Sequence, residues 1–164
     1  MTKTLAMLVL EGKKIPYEIV TYPDSERDAE KIAVLLQVPG DQLFKSLVVA
    51  RPPAKPLLVM LPADGQLDLK KLAAFTGDKK LKLAGHQEAE QLTGLKVGGI
   101  SPLALLNKRF VMLIDATARR YEQIYISAGQ RGINLKLPTA ALIKLTQARA
   151  ADFIAHAPMQ ASND

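Results

Sequence analysis

Residues 44–61 read FKSLVVARPPAKPLLVML and contain two apolar runs that favour β-strands. Successive side chains of a strand point to opposite faces, and both faces of Phe44–Ala50 are mostly apolar, which indicates a strand covered on both sides. The second run, Leu57–Leu61, has the same apolar character. Three prolines in Arg51–Pro56 interrupt regular pairing and favour a loop. We therefore expect an antiparallel β-hairpin with a long loop at the centre of the fold.

Short helices and strands are predicted on both sides of this hairpin. Apolar residues at helical spacing between capping residues indicate helices, and short β-rich runs indicate strands. The predicted helices lie around Leu5–Val9 before Gly12, from the capping-box spacing Ser25–Asp28 to Pro39–Gly40, at Leu69–Thr76, at His86–Leu92, and once or twice within Thr139–His156. The other predicted strands are Tyr17–Tyr22, Lys79–Leu83, Phe110–Asp115, Gln123–Ser127 and Ile133–Leu137.

This alternation of short helices and strands favours an α+β fold over a doubly wound parallel fold. The expected core is a mixed sheet or a small β-barrel-like core surrounded by short helices. A chain of 164 residues fits one ordinary domain, since single cores commonly span about 100–200 residues. We expect one domain over residues 1–157 and a polar C-terminal tail over residues 158–164.

The composition is that of an ordinary globular protein, with 48% hydrophobic and 23% charged residues. No apolar run approaches the roughly 18 residues that a membrane span needs, and the N-terminal residues lack the pattern of a signal peptide. These features predict a cytoplasmic protein that does not enter membranes. The chain contains no cysteine, which excludes disulfides, thiolate nucleophiles and Cys-based zinc sites.

The net charge of +6 is concentrated in one part of the chain. Residues 65–136 contain 12 Lys or Arg against 6 Asp or Glu, and the remaining residues contain 10 of each sign. A localised basic excess attracts phosphate groups through steering and counterion release. A solvated basic face without any nucleic-acid partner explains the same excess, so charge alone leaves both interpretations open.

The usual residue constellations for hydrolysis are absent from the sequence. The histidines His86 and His156 form no His-Glu-x-x-His metal motif, and His86-Gln-Glu88 lacks the cysteines of a base deaminase. Ser101 does not lie in a nucleophile elbow, because the second glycine is missing and Pro102 follows. We therefore expect no serine triad, no metal site and no bound cofactor.

Two features stand out from this background. Lys45 lies in the otherwise apolar strand Phe44–Ala50, where its ammonium either reaches solvent from the strand end or meets a phosphate or carbonyl oxygen in a pocket. The glycine loop, Gly98–Pro102, is either a tight structural turn or a place where a ligand approaches the backbone closely. Tyr22 and Arg131–Gly132 give weaker signals, because a tyrosine at a strand end and a charged turn need no function.

Four segments of the chain follow one another in a distinctive order and spacing. They read FKSLVV at 44–49, GQLDLKKLA at 65–73, VGGISPL at 97–103 and RG at 131–132. Together they resemble the YbaK/EbsC family of aminoacyl-tRNA deacylases, which includes the editing domain inserted in bacterial prolyl-tRNA synthetases. The resemblance covers nearly the whole chain, and the combination of the lysine with the glycine loop makes it specific.

The resemblance implies a mixed α+β, barrel-like fold and a trans-editing hydrolase that deacylates mischarged aminoacyl-tRNA, with Cys-tRNA(Pro) as the expected substrate. It implies no protein nucleophile, because a ribose hydroxyl or the cysteine thiol of the substrate performs the attack. It also implies binding of the acceptor end of tRNA(Pro) and a transient complex with prolyl-tRNA synthetase. The implied site residues are Lys45 as the catalytic residue, with Tyr22, Ser46, Gly98, Gly99, Ile100, Ser101, Pro102 and Arg131 around the substrate.

The chain departs from the family pattern at two positions. Ala104 stands where relatives often have glycine after the Pro-hydrophobic pair, and Asn134 stands where they often have an acidic residue. These departures leave the preferred amino acid open, with alanyl-tRNA(Pro) as a second substrate. Two further alternatives are a non-catalytic module that binds tRNA or a synthetase, and a regulatory protein that recognises a small phosphorylated ligand.

Overall fold

The computed structural model describes residues 2–156, which form five α-helices, two 3₁₀ helices and eight strands. The α-helices are α1 (Leu5–Gly12), α2 (Ala29–Leu36), α3 (Leu69–Thr76), α4 (His86–Thr93) and α5 (Thr139–Thr146), and the 3₁₀ helices span Pro102–Ala104 and Ala116–Arg120. The strands are β1 (Glu18–Thr21), β2 (Phe44–Arg51), β3 (Ala54–Pro62), β4 (Lys82–Leu83), β5 (Val111–Asp115), β6 (Gln123–Ser127), β7 (Ile133–Pro138) and β8 (Arg149–Ala151). None of the helices in this range is long and apolar enough to cross a membrane.

The strands form one mixed sheet and one antiparallel sheet. The larger sheet has the order β4-β2-β3-β5-β8, in which β2 runs antiparallel to its neighbours and β5 runs parallel to both β3 and β8. The smaller sheet is antiparallel, with the order β1-β7-β6. The predicted α+β class with a mixed sheet is confirmed.

The expected barrel-like closure is wrong. The start of β2 meets β6 through a single bridge between Leu43 and Tyr125, and the two sheets do not close on each other. The edge strands of the larger sheet, β4 and β8, are only two and three residues long. Such short edges offer too few backbone groups to continue the hydrogen bonding around a barrel.

The central hairpin forms as predicted, but its loop is shorter than expected. Strands β2 and β3 pair from Phe44 opposite Pro62 to Arg51 opposite Ala54, which leaves only Pro52 and Pro53 in the turn. A register shift at the end of β2 lets the pairing continue past Pro56. Because a proline at a bulge is not required to donate a ladder hydrogen bond, Pro56 is accommodated inside the strand.

Two helix boundaries differ from the predictions. Helix α2 is capped by Asp28, whose carboxylate accepts a hydrogen bond from the Glu30 backbone amide, and not by Ser25. Helix α5 ends where Gln147 adopts a left-handed conformation, and the chain then enters β8 beside β5. Pairing with β5 therefore overrides the helical propensity of the alanine-rich sequence that follows. The predicted tail at 158–164 lies outside the described residues, and the single-domain boundary stays a prediction.

Strand β2 is anchored by buried apolar side chains on both of its faces. Phe44 and Val48 belong to a large cluster that includes Ile126 of the smaller sheet. Val49, on the opposite face, packs in a second cluster with Phe153. Burial of each such side chain contributes roughly 1.5–3 kcal/mol, so the backbone that carries Lys45 is firmly held.

Candidate functional site

A cavity of about 230 Å³ opens beside the start of β2. Its walls come from the end of β1, the first turn of α2, the start of β2, the glycine loop, and the facing strands β6 and β7. Five residues predicted for the site line this cavity: Tyr22, Lys45, Ser46, Gly98 and Ile100. Elements that are distant in the sequence therefore bring the unusual lysine and part of the glycine loop together.

Lys45 is half-buried in this cavity. Its Nζ donates a hydrogen bond to the backbone carbonyl of Ala63, at an Nζ–O distance of 3.3 Å. Burial lowers the pKa of Lys45 below the ordinary lysine value, and the negative charges of Glu30, Asp28 and Asp64 partly offset this effect. An ammonium has three N–H donors, so two remain for an oxygen of a bound substrate. The incomplete hydration of this cation strengthens its interaction with such an oxygen.

The part of the cavity wall that the smaller sheet contributes is polar and uncharged. Tyr22 is only 9% exposed, and its hydroxyl has no hydrogen-bond partner among the described residues. Burial raises the pKa of Tyr22, and the nearby backbone of Gly132 offsets part of the increase. Asn134, which is 3% exposed, lies opposite Ser127 in the pairing of β6 with β7, and both line the cavity. This wall can exchange hydrogen bonds with a substrate without adding charge.

The glycine loop presents only part of its length to the cavity. Gly98 has a φ angle of +92°, which favours glycine, and Ile100 is buried beside it. Gly99 faces the opposite way, because a Cβ atom there would lie 2.9 Å from the backbone nitrogen of Arg131. Only a residue without a side chain allows the loop to approach the neighbouring turn this closely.

Arg131 lies behind the glycine loop and does not line the cavity. Its Nε donates a 2.7 Å hydrogen bond to the Val97 carbonyl, and its guanidinium lies 3.8 Å from a carboxylate oxygen of Glu90. Arg131 thus links the turn before β7 to the segment that leads into the loop. The geometry shows a supporting contact for this residue, whereas the family resemblance implies a substrate contact.

Ser101 and Pro102 are also turned away from the cavity. Both are buried, and the Ser101 hydroxyl accepts a hydrogen bond from the Leu103 backbone amide at 3.3 Å, which caps the 3₁₀ helix Pro102–Ala104. Ala104, one of the two departures from the family pattern, lies near Gly129 behind the loop. The other departure, Asn134, lies in the cavity wall.

Comparison with known proteins decides the family. Residues 24–145 match the family model described as the aminoacyl-tRNA editing domain. This chain belongs to that family. The family resemblance read from the lysine and glycine-loop segments is confirmed, and the cavity described above lies within the matched residues, apart from Tyr22 at its edge.

Individual relatives agree with this assignment. A protein of Enterococcus faecalis, provisionally named Cys-tRNA(Pro)/Cys-tRNA(Cys) deacylase EbsC, is 34% identical over 152 residues, which are 92% of this chain and 92% of that protein. A proline-tRNA ligase of Thermosipho africanus is 30% identical over 90 residues, which are 55% of this chain but only 16% of the ligase. A solved structure provisionally described as a trans-editing enzyme for prolyl-tRNA synthetase aligns with a TM-score of 0.81 and 24% identity, covering 95% of this chain and 100% of that one. This last likeness shows that this chain and that solved structure share a fold.

Several cavity residues of the editing domain were not found by sequence reasoning. The sequence carried no signal for Ser127, which is an ordinary strand residue until the fold places it at the cavity, and Val97 was noted only as the first residue of the segment VGGISPL. Arg27 and Asp28 lie in a segment that was read only as a helix start. The missed residues with polar or charged side chains are Arg27, Asp28, Ser127 and Asn134, the last of which was noted only as a departure from the family pattern.

A second depression of the editing domain is rich in carboxylates but holds no cluster suited to a metal ion. Asp115 accepts hydrogen bonds from the backbone amides of Thr117 and Phe153. Asp41 accepts one from the Tyr121 hydroxyl. Among residues 2–156, no group of three or more His, Cys, Asp or Glu side chains is arranged to bind a metal. These acidic side chains stabilise the loops that they contact.

Proposed function

We propose that this editing domain is a trans-editing deacylase that hydrolyses the ester of mischarged aminoacyl-tRNA, with Cys-tRNA(Pro) as its main substrate. The observation that carries the proposal is the half-buried ammonium of Lys45, with two unused donors, in a small cavity with an uncharged polar wall. The name of the Enterococcus faecalis relative, which is similar over nearly its whole length, supports the choice of cysteine.

Ester hydrolysis needs a nucleophile and a group that stabilises the negative charge developing on the carbonyl oxygen. No histidine or acidic residue of the cavity lies in a hydrogen-bonded pair with Ser46 or Ser127 among the described contacts, so neither serine is activated. The family resemblance implies that a group on the substrate, a ribose hydroxyl or the cysteine thiol, takes the place of a protein nucleophile, and water completes the release of the amino acid. Lys45 donates hydrogen bonds to the ester end of the aminoacyl group, and the backbone of the glycine loop holds the ester in place.

The size of the cavity supports a small aminoacyl group as the substrate. A synthetase pocket discriminates between similar small side chains by only about 1–3 kcal/mol. A second site is therefore needed to hydrolyse the ester of a wrongly attached amino acid. The cavity of about 230 Å³ is smaller than the pockets of roughly 300–1,000 Å³ that hold drug-sized ligands. A compact thiol side chain fits beside Tyr22 and Asn134, and alanine fits the same space, which makes Ala-tRNA(Pro) the second candidate.

The proposed partners follow from the substrate. The domain, which we take as residues 1–157, binds the acceptor end of tRNA(Pro) and forms a transient complex with prolyl-tRNA synthetase in the cytoplasm. The net charge of +6 favours binding of the tRNA backbone. A complex with the synthetase brings the editing site to newly charged tRNA without requiring many base contacts by the domain itself.

The proposal is tested by measuring deacylation of Cys-, Ala- and Pro-charged tRNA(Pro) by the wild-type protein, with and without prolyl-tRNA synthetase. We expect hydrolysis of the cysteinyl ester and protection of the prolyl ester. Faster hydrolysis of the alanyl ester would identify Ala-tRNA(Pro) as the main substrate of the same reaction. Salt-dependent tRNA binding without cleavage of any ester contradicts the proposal and favours a non-catalytic module.

A further inference from the structure

Arg27 occupies the rim of the cavity that contains Lys45. It precedes the cap of α2, its side chain lines the cavity, and the residue as a whole is exposed to solvent. The stem of the side chain packs on the glycine loop, since a Cβ atom built on Gly98 would lie 3.4 Å from Arg27 Cγ. This contact places the stem of the arginine against the glycine loop at the cavity.

The guanidinium of Arg27 has no ion pair or side-chain hydrogen bond among residues 2–156, although acidic residues flank it. The Glu26 carboxylate accepts hydrogen bonds from the backbone amides of Arg27 and Asp28. The Asp28 carboxylate accepts one from the Glu30 backbone amide at the start of α2. Both carboxylates therefore accept hydrogen bonds from backbone amides at the start of α2. The guanidinium N–H donors of Arg27 are left for a ligand.

The two cations of the cavity differ in depth. Lys45 is half-buried and tied to the Ala63 carbonyl, whereas Arg27 lies at the exposed rim. A space of about 230 Å³ accommodates an aminoacyl group and part of a ribose, but the rest of the terminal nucleotide must stay at the mouth. In an aminoacyl-tRNA the first negative charge outside the terminal nucleoside is the phosphodiester on its 5′ side.

We propose that Arg27 binds this phosphodiester, the one that joins the last two nucleotides of the acceptor end, and so positions the ester against Lys45. The inference rests on the proposed function. An arginine fork matches two phosphate oxygens with parallel hydrogen bonds, which makes it better suited to this group than a lysine. Arg27 is thus a positioning residue, and Lys45 is left to act on the ester.

The test is a thermodynamic cycle in which Arg27 of the protein and one phosphate of the RNA are altered separately and together. It measures binding and does not depend on hydrolysis. An uncharged RNA hairpin with the tRNA(Pro) acceptor stem and a CCA end is compared with the same RNA carrying a neutral methylphosphonate before the terminal adenosine. Dissociation constants are measured by fluorescence titration for the wild type, Arg27→Ala, Arg27→Lys and Lys31→Ala. Lys31 is the matched control, because it is an exposed cation of α2 that does not line the cavity.

We expect the methylphosphonate and Arg27→Ala each to weaken binding roughly ten-fold, as is typical of a lost hydrogen bond to a charged group. Combined, they should weaken it little more than either alone, because they remove the same contact. Arg27→Lys should retain part of the affinity, and Lys31→Ala should keep the full methylphosphonate effect. An unchanged methylphosphonate effect in folded Arg27→Ala overturns the inference, as does equal binding of both RNAs by the wild type.

The same cycle separates this inference from the proposed function. Coupling between Arg27 and the phosphodiester, in a protein that cleaves no ester, rejects the deacylase and leaves the phosphate contact standing. Deacylation by the wild type without such coupling retains the deacylase and rejects the role of Arg27. Circular dichroism of Arg27→Ala shows whether a change in affinity reflects folding, and Arg27→Lys supplies the comparison if it does.

Discussion

The two sides of the glycine loop differ in what they contact. On one side, Gly98 and Ile100 face the cavity beside Lys45. On the other side, Gly99 packs against the backbone at Arg131, and Ser101 caps the 3₁₀ helix that follows. The motif that sequence reasoning treated as one substrate-binding unit therefore combines a binding surface with an anchor.

This difference shows why a glycine motif is a poor guide to which residues touch a ligand. Gly98 and Gly99 are adjacent, yet a side chain at the first would meet the flexible stem of Arg27 and one at the second would meet backbone atoms. Flexible side chains can move aside, whereas two packed backbone segments cannot. We therefore expect a side chain at Gly99 to lower stability through its close backbone contacts, and a side chain at Gly98 to alter the cavity in addition to the strain that its positive φ angle imposes.

The largest expected effect on stability comes from Gly99→Ala. The added methyl group would lie 2.9 Å from the Arg131 backbone nitrogen and 3.0 Å from the carbonyl carbon of Gln130. We expect the free energy of unfolding to fall by about 1–3 kcal/mol, the usual cost of overpacking, when it is measured by urea denaturation.

Gly12→Ala is the matched control for this substitution. Gly12 ends helix α1, and no atom lies within 4 Å of a Cβ built at this position. Alanine there should leave stability unchanged or raise it by a fraction of the roughly 0.5–1 kcal/mol by which alanine exceeds glycine inside helices. Equal losses of stability in the two variants would show that the anchor side of the loop is not tightly packed.

We also expect the pKa of Lys45 to be lowered in the folded protein. Burial makes the ammonium less favourable in the folded protein, so its pKa should lie below the lysine value of 10.5. Because folding lowers this pKa, the charged form opposes folding, and the contribution of Lys45 to stability becomes more favourable as pH rises through the folded-state pKa. NMR titration of ¹³C-methylated lysines, with Lys45→Arg to assign the signal, measures the midpoint. A midpoint at or above 10.5 contradicts the partial desolvation of this cation.

The parts of the fold that follow local rules were predictable from the sequence. The hairpin of β2 and β3, helix α3 with its Asp68 cap, and helix α4 before Gly94 have clear apolar patterns and end signals. The unusual position of Lys45 in an apolar strand left a solvent-facing strand end and a pocket as alternatives, and only the family resemblance favoured the pocket. These features depend on neighbours in the sequence, which is the information that periodicity and capping rules use.

The features that were missed depend on contacts between distant segments. Strand β8 forms because β5 offers an unpaired edge, and its own sequence favours a helix. Ser127 and Asn134 become a polar wall only when β6 pairs with β7. Arg27 reaches the cavity only because α2 starts beside Gly98. No local pattern in the sequence contains these contacts.

The central claim is that Lys45 acts on the substrate and is not needed for the fold. Lys45→Met keeps an apolar chain of similar length and removes the buried charge, so the melting temperature should be retained or raised. Deacylation of Cys-tRNA(Pro) should fall at least about 100-fold, the loss seen when a donor to a developing oxyanion is removed. The most direct measurement is therefore the cysteinyl-ester hydrolysis rate of Lys45→Met beside its melting curve. A large loss of rate at an unchanged or higher melting temperature is the predicted result, and full activity in the folded variant would contradict the assignment of this cavity as the deacylation site.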